Sequence, residues 1–118
     1  MQARKTSVKA EGFRRALLLT DLELGVPKAC LMADGERLCI VRDGNDVFAM
    51  VDRCPHRDFN LSSGEMVAPG VIECPWHGAQ FDCQTGAVLQ GPATDALTLY
   101  AVRIENGTVL VGPHRSST

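Results

Sequence analysis

The dipeptide Asn106-Gly107 separates two runs of apolar and β-branched residues, LTLYAVRIE (97–105) and TVLVG (108–112). Asn-Gly between such runs is the strongest short-range signal for a two-residue β-hairpin, because both residues tolerate positive φ. Asp34-Gly35 gives the same signal earlier in the chain. These turns pair neighbouring strands antiparallel, and helical periodicity is hard to find between them. The chain is therefore expected to fold mainly from β-hairpins.

Similar short runs recur between turn signals, and they predict strands at residues 28–33, 36–42, 46–51, 71–74, 79–83, 87–89, 97–105 and 108–112. Many short strands at such spacing are typical of an all-β sandwich or barrel. Residues 20–25 are expected to form a single turn, with Asp21 as a candidate cap. A length of 118 residues favours one domain.

The charge is unevenly distributed along the chain. Residues 1–15 carry five basic and one acidic side chain, whereas residues 16–113 carry six basic and thirteen acidic ones. An acidic body repels phosphate backbones, so nucleic acid is not an expected partner. No run approaches the roughly 20 apolar residues of a membrane span, so no membrane partner is expected either. The basic N-terminal segment, residues 1–14, is predicted to be a flexible tail of unassigned role.

The residues after Arg14-Arg15 do not form an export signal, because only four apolar residues follow where about 7–15 are needed. A cytoplasmic location is therefore expected, and the cytosol keeps thiols reduced. Five cysteines in such a chain point to a metal before disulfides.

Two cysteine–histidine pairs lie 17 residues apart, Cys54-x-His56 and Cys74-x-x-His77, and each includes a proline. A structural zinc site would use the same four residues, but the usual Cys₂His₂ finger does not mix cysteine and histidine within each loop. A nucleophilic Cys–His dyad would explain one pair and leave the other idle. A 2Fe-2S cluster explains the mixing, because both cysteines can bind one iron and both histidines the other.

The stretch CPHRDFNLSSGEM with VIECPWHGAQFD and the later Thr85-Gly86 resembles the signature of the Rieske family. The resemblance covers about residues 15–112. It implies a β-sandwich or barrel base domain over residues 15–113, a small cluster-binding subdomain inserted at about 52–83, and a C-terminal tail at 114–118. It also implies one Rieske-type 2Fe-2S cluster. Its ligands would be the cysteines Cys54 and Cys74 on the inner iron and the histidines His56 and His77 on the outer iron.

The resemblance also assigns roles to the neighbours of these ligands. The cluster environment would comprise Pro55, Pro75, Trp76, Gly78, Phe81 and Pro92, with the last of these in a loop that covers the cluster. The outer imidazole edges of His56 and His77 would be the exit for electrons, and Arg57 and Trp76 would complete the surface that docks partners.

Four positions indicate which kind of Rieske protein this is. Phe59 and Trp76 stand where the proteins of respiratory and photosynthetic complexes have two disulfide-forming cysteines. Ala79 and Phe81 stand where those proteins have serine and tyrosine hydroxyls that bond to sulfur. Without these hydrogen bonds the reduced cluster is less stabilised, which predicts a potential near the low end of the Rieske range, about −150 mV.

The sequence is therefore similar to the ferredoxins of bacterial ring-hydroxylating dioxygenases, which act in aromatic hydrocarbon catabolism. Such a ferredoxin is not itself an enzyme. It would carry single electrons from an NAD(P)H-dependent flavin reductase to a terminal oxygenase, with both partners bound transiently. After the cluster takes two histidines only His114 remains, which is too few for an oxygen-activating iron site. The alternatives are the Rieske-like small subunit of an assimilatory nitrite reductase and a zinc-stabilised binding module. The substrate, the identity of the reductase and the oligomeric state stay open.

Three cysteines lie outside the motif. A two-residue turn at Asp34-Gly35 would pair residues whose numbers sum to 69, so Cys30 is expected to face Cys39. The expected state of the pair is two small buried apolar side chains, with a cross-strand disulfide as the alternative. Cys83 receives no role.

Overall fold

The structure, a computed structural model, describes residues 12–55, 59–75, 78–91 and 95–115, with the backbone alone for residues 114 and 115. These residues form strands β1 (Arg14–Leu18), β2 (Lys28–Leu31), β3 (Arg37–Asp43), β4 (Asp46–Val51), β5 (Glu65–Ala68), β6 (Val71–Glu73), β7 (Gln80–Asp82), β8 (Val88–Gln90), β9 (Leu99–Glu105) and β10 (Thr108–Arg115). Short 3-10 helices lie at Leu19–Asp21 and Leu61–Ser63. None of the helices in this part of the chain is long and apolar enough to cross a membrane.

Six strands form the larger sheet, in the order β1-β10-β9-β4-β3-β2. The hairpin between β9 and β10 has the predicted two-residue turn, because Glu105 pairs with Thr108 and both turn residues take positive φ. The sheet curves until its outer strands approach each other. The Cys30 thiol of β2 donates to the Ala16 carbonyl of β1, with 3.6 Å between sulfur and oxygen. The all-β prediction is confirmed, and the larger sheet is nearly a barrel.

The predicted register of the β2–β3 hairpin is wrong by one residue. Cys30 pairs with Leu38, and Cys39 pairs with Ala29. The turn has three residues rather than two, since Met32 N–H donates to the Glu36 carbonyl and Gly35 takes a φ of 93°. The Asp34 carboxylate also accepts the Glu36 N–H at 3.0 Å, which favours this longer turn.

The shift separates the two cysteines, because a slip of one residue moves a side chain to the other face of a strand. Cys30 lies in the core inside the curved sheet, whereas Cys39 lies in the core between the two sheets. Both are buried free thiols. The prediction of two small buried side chains is therefore confirmed, and the cross-strand disulfide is excluded.

The smaller sheet, in the order β5-β6-β7-β8, is inserted between β4 and β9. Its first strand β5 was not expected, and neither was β1. The smaller sheet packs on the outer face of β3 and β4, where Val41 and Met50 meet Ile72 and Phe81 in one buried cluster. The limits of the domain and of the inserted subdomain stay a prediction. This packing also brings Cys54 and Cys74 into that same buried cluster.

Candidate metal centre

Two loops of equal length carry the cysteines of the motif. Cys54 N–H donates to the Phe59 carbonyl at 2.9 Å, and Cys74 N–H donates to the Ala79 carbonyl at 2.8 Å. Each hydrogen bond joins a cysteine to the residue five positions later. The cysteines therefore occupy matching places at the base of two similarly closed loops, although one follows β4 and the other follows β6.

Both cysteines are buried in the core between the sheets. Cys54 and Cys74 are each 1% exposed, and Ala79 and Phe81 belong to the same cluster with no exposed surface. The surroundings are thus mainly apolar.

Cys39 and Cys83 lie in the same core and are buried free thiols. Burial, with the charges of Asp82 and Asp43 as lesser causes, raises the pKa of Cys83 to about 12. Burial also raises the pKa of Cys39 far above its usual value. Both thiols are therefore harder to ionise than an ordinary cysteine.

Several predicted site residues lie outside the described residues, and nothing follows for them from the structure: His56, Arg57, Trp76, His77 and Pro92. Within the described ranges, no three potential ligands among His, Cys, Asp and Glu come together. Pro55 is half-buried and Pro75 is exposed. Gly78 has a φ of 72°, and its carbonyl accepts a hydrogen bond from the Gln90 side-chain amide at 3.0 Å. The side chain of Gln90 thus holds the second loop to β8.

The sequence analysis missed Asp52, the one charged residue in the buried set among the described residues. Its carboxylate accepts hydrogen bonds from Arg37 Nε at 2.7 Å, from Ser62 N–H at 2.6 Å and from the Ser62 hydroxyl at 2.8 Å. An acid two residues before a motif cysteine, with a serine ten residues later, was the signal available in the sequence. Its meaning depends on a contact that only the fold creates.

Comparison with known proteins gives a consistent set of relatives. The ferredoxin subunit of 3-phenylpropionate/cinnamic acid dioxygenase from Escherichia coli (strain K12) is 40% identical over 68 residues, which is 58% of this chain and 64% of that protein. The chain thus spans less than two thirds of that relative. Among solved structures, the ferredoxin of carbazole 1,9a-dioxygenase from Nocardioides aromaticivorans IC177 is 35% identical, with a TM-score of 0.79 over 86% of this chain and 98% of that one.

A second solved structure contains a ferredoxin together with its oxygenase. It is the complex of reduced oxygenase and oxidized ferredoxin in carbazole 1,9a-dioxygenase, with 28% identity and a TM-score of 0.78 over 86% of this chain and 94% of that one. The family match itself runs from residue 16 to residue 101, which is most of the chain and includes both cysteine–histidine pairs. The protein therefore belongs to the Rieske [2Fe-2S] domain family, whose cofactor is one Rieske-type 2Fe-2S cluster.

Proposed function

We propose that this protein is a Rieske ferredoxin of a bacterial ring-hydroxylating dioxygenase system. It carries single electrons from an NAD(P)H-dependent flavin reductase to a terminal oxygenase, and it binds both partners transiently in the cytoplasm. The observation that carries this proposal is that the chain accounts for 98% of a solved dioxygenase ferredoxin. The nitrite reductase subunit is less well supported, because the reported relatives are named as dioxygenase ferredoxins.

The proposed cluster ligands are Cys54 and Cys74 on one iron and His56 and His77 on the other. Support comes from the two buried cysteines at matching places in loops of equal length. Two thiols in one apolar core fit the cysteine half of a 2Fe-2S cluster, since thiolates are its usual ligands. When bound, the cluster supplies the one-electron chemistry. Cys54, Cys74, His56 and His77 would hold it, and the buried core around the two cysteines would keep water away from that part of the cluster.

The proposed potential is low, near −150 mV, and the residues around the cysteines support this value. Ala79 and Phe81 are fully buried beside Cys54 and Cys74 and have no hydroxyl. The one tyrosine of the chain, Tyr100, belongs to the other core cluster, inside the larger sheet. No tyrosine hydroxyl is therefore at hand to stabilise the reduced cluster through its sulfur atoms.

The proposed docking surface consists of the ring edges of His56 and His77 with Arg57 and Trp76.

We expect the protein to have a midpoint potential below zero. We also expect the reduced protein to be oxidised when it is mixed with a ring-hydroxylating oxygenase. If the reduced protein is not oxidised faster with oxygenase than with buffer, its role as electron donor is refuted.

The iron and sulfide content of the purified full-length protein tests whether the protein holds a cluster. We expect a red-brown protein with two iron and two acid-labile sulfide per chain, whose visible absorption bleaches on reduction. A colourless protein with one zinc would refute the cluster and favour a zinc-stabilised binding module.

Matched cysteine variants test the ligand assignment. Cys54→Ala and Cys74→Ala should each abolish the visible absorption, because each removes a ligand. Cys83→Ala is the control, since it removes a buried thiol from the same core without removing a proposed ligand. Retention of a normal cluster in Cys54→Ala, or its loss in Cys83→Ala, would contradict the assignment.

A further inference from the structure

The carboxylate of Asp52 is a fully buried ion at the start of the first ligand loop. Its side chain has no exposed surface and accepts three hydrogen bonds, one from Arg37 and two from Ser62. A buried carboxylate is costly unless its oxygens are paired and hydrogen-bonded. Three donors converge on it here, which is a built environment for a charge.

The contacts of Asp52 join both ends of that loop to the larger sheet. Asp52 directly follows β4 and precedes Cys54 by two residues, while Ser62 lies in the 3-10 helix Leu61–Ser63 after the loop. Arg37 is the first residue of β3, and its carbonyl accepts the Asp52 N–H at 3.1 Å. The Asp52 side chain, at the start of the loop, therefore contacts both the helix that follows the loop and a strand of the larger sheet.

The ends of the second ligand loop are joined by the backbone. Its two ends, Glu73 and Gln80, are paired residues of the neighbouring strands β6 and β7, so a strand ladder closes it. The first loop runs from β4 to a 3-10 helix, and the structure gives no strand pairing between them. Asp52 and Ser62 thus do for the first loop what backbone pairing does for the second.

We infer that Arg37, Asp52 and Ser62 form a positioning unit for the metal centre, which fixes the first ligand loop and adjusts the reduction potential through the charge balance of Arg37 and Asp52. This inference rests on the proposed function. Asp52 and Cys54 are two residues apart, so their Cα atoms lie at most about 7 Å from each other. Because the Asp52 side chain and Cys54 are both buried, water screens the charge of the carboxylate only weakly there.

Removing each of the two charges in turn should shift the midpoint potential in opposite directions. Asp52→Asn removes a negative charge and leaves the Arg37 cation unbalanced, so reduction becomes easier and the midpoint potential rises. Arg37→Gln removes the positive charge beside the Asp52 carboxylate and leaves its two Ser62 hydrogen bonds, so reduction becomes harder and the potential falls. Because the Arg37 side chain is 49% exposed, water screens its charge and the second shift is the smaller one.

The experiment uses full-length protein with its cluster and a potentiometric titration followed by visible absorption. Asp43→Asn is the matched control, because the Asp43 carboxylate also ties β3 to the smaller sheet, through the Gly70 N–H. Asp43 ends β3, about 20 Å along the strand from Arg37, so its charge should shift the potential less than the charge of Asp52 does. Ser62→Ala should release iron to a chelator several-fold faster than wild type, and Ser62→Thr should restore the wild-type rate.

Opposite shifts in Asp52→Asn and Arg37→Gln, with a smaller shift in Asp43→Asn than in Asp52→Asn, support the inference. Shifts of the same sign, or unchanged potentials, overturn it and leave only a structural role. If Asp52→Asn does not fold, the half-exposed Arg37→Gln and the Ser62 pair decide: an unchanged potential together with unchanged iron release overturns the inference. A wild-type protein without a cluster would instead refute the proposed function, so the two failures are distinguishable.

Discussion

Ala79 and Phe81 differ from hydroxyl-bearing residues by a single oxygen each, and both are fully buried beside the motif cysteines. Neither side chain can therefore donate a hydroxyl hydrogen bond to a sulfur atom. The potential of the cluster should therefore respond to a hydroxyl that is introduced there.

Ala79→Ser and Phe81→Tyr are expected to raise the midpoint potential. A hydrogen bond to a charged acceptor contributes about 1.5–3 kcal/mol, which corresponds to at most about 60–130 mV for one electron. Potentiometric titration of each variant measures the shift. Tyr100→Phe is the control, because it removes a hydroxyl from the other core and should leave the potential unchanged. A potential that stays at the wild-type value in Ala79→Ser would argue against a sulfur contact at that position.

The ionisation of Tyr100 tests the contacts of the core inside the larger sheet. Burial, followed by its hydrogen bond to Glu36 and the charge of that carboxylate, raises the pKa of Tyr100 from 10.0 to about 12. The folded state thus binds the phenolic proton more tightly than the unfolded state. The contribution of Tyr100 to the free energy of unfolding is therefore complete below pH 10 and is lost as the pH rises through about 12.

Because the chain has one tyrosine, the ultraviolet absorption of tyrosinate reports this residue alone. We expect Glu36→Gln to lower the pKa of Tyr100 and Arg14→Gln to raise it, since the Arg14 charge opposes the shift. Equal titration curves for wild type and Glu36→Gln would show that the contact is absent in solution.

At the scale of elements, the turns explain which predictions from sequence succeeded. Asn106-Gly107 fixes a two-residue hairpin through local backbone preference alone, and the register of β9 and β10 follows from it. Asp34-Gly35 has similar residues, but the Asp34 side chain bonds to Glu36 N–H and extends the turn to three residues. Strand β5 could not be predicted, because its short run EMVA becomes a strand only by pairing with β6.

Strand β8 holds the second ligand loop through the hydrogen bond from Gln90 to the Gly78 carbonyl. Gln90→Ala removes this bond, so the loop should open more often and release iron to a chelator a few-fold faster, while the potential changes little. Leu89→Ala is the matched control, because Leu89 precedes Gln90 on β8 and is 52% exposed. Similar release rates in the two variants would mean that Gln90 does not restrain the loop.

At the scale of the whole molecule, charge should control how fast partners meet. Residues 16–113 carry thirteen acidic and six basic side chains. Attraction of this acidic body to basic partners is screened by salt within about 10 Å at 0.1 M. We expect the second-order rate of electron transfer to fall several-fold between low and physiological ionic strength, measured by stopped-flow mixing. A rate that rises with salt would mean that like charges meet at the interface.

The motif predicted Cys54 and Cys74 as metal ligands, and the structure brings both into one buried core. Their role as ligands, together with His56 and His77, stays a prediction. Asp52 and Gln90 were not identified, because their roles come from hydrogen bonds to Ser62 and Gly78 that depend on how β4 and β8 are packed. A motif records which atoms bind a metal, whereas the residues that hold those atoms in place are spread over the fold.

The chain leaves the larger sheet for the smaller one and returns to it at two residues that lie side by side. Val51 N–H donates to the Thr98 carbonyl at 3.0 Å, and β4 and β9 pair beside that bond. An insertion with adjacent ends can lengthen, shorten or be exchanged without breaking the ladder of its host. Its inner face, however, shares a core with Val41 and Met50. Transplanting this redox module into another β-barrel would therefore require the outer faces of two host strands to be carried over with it.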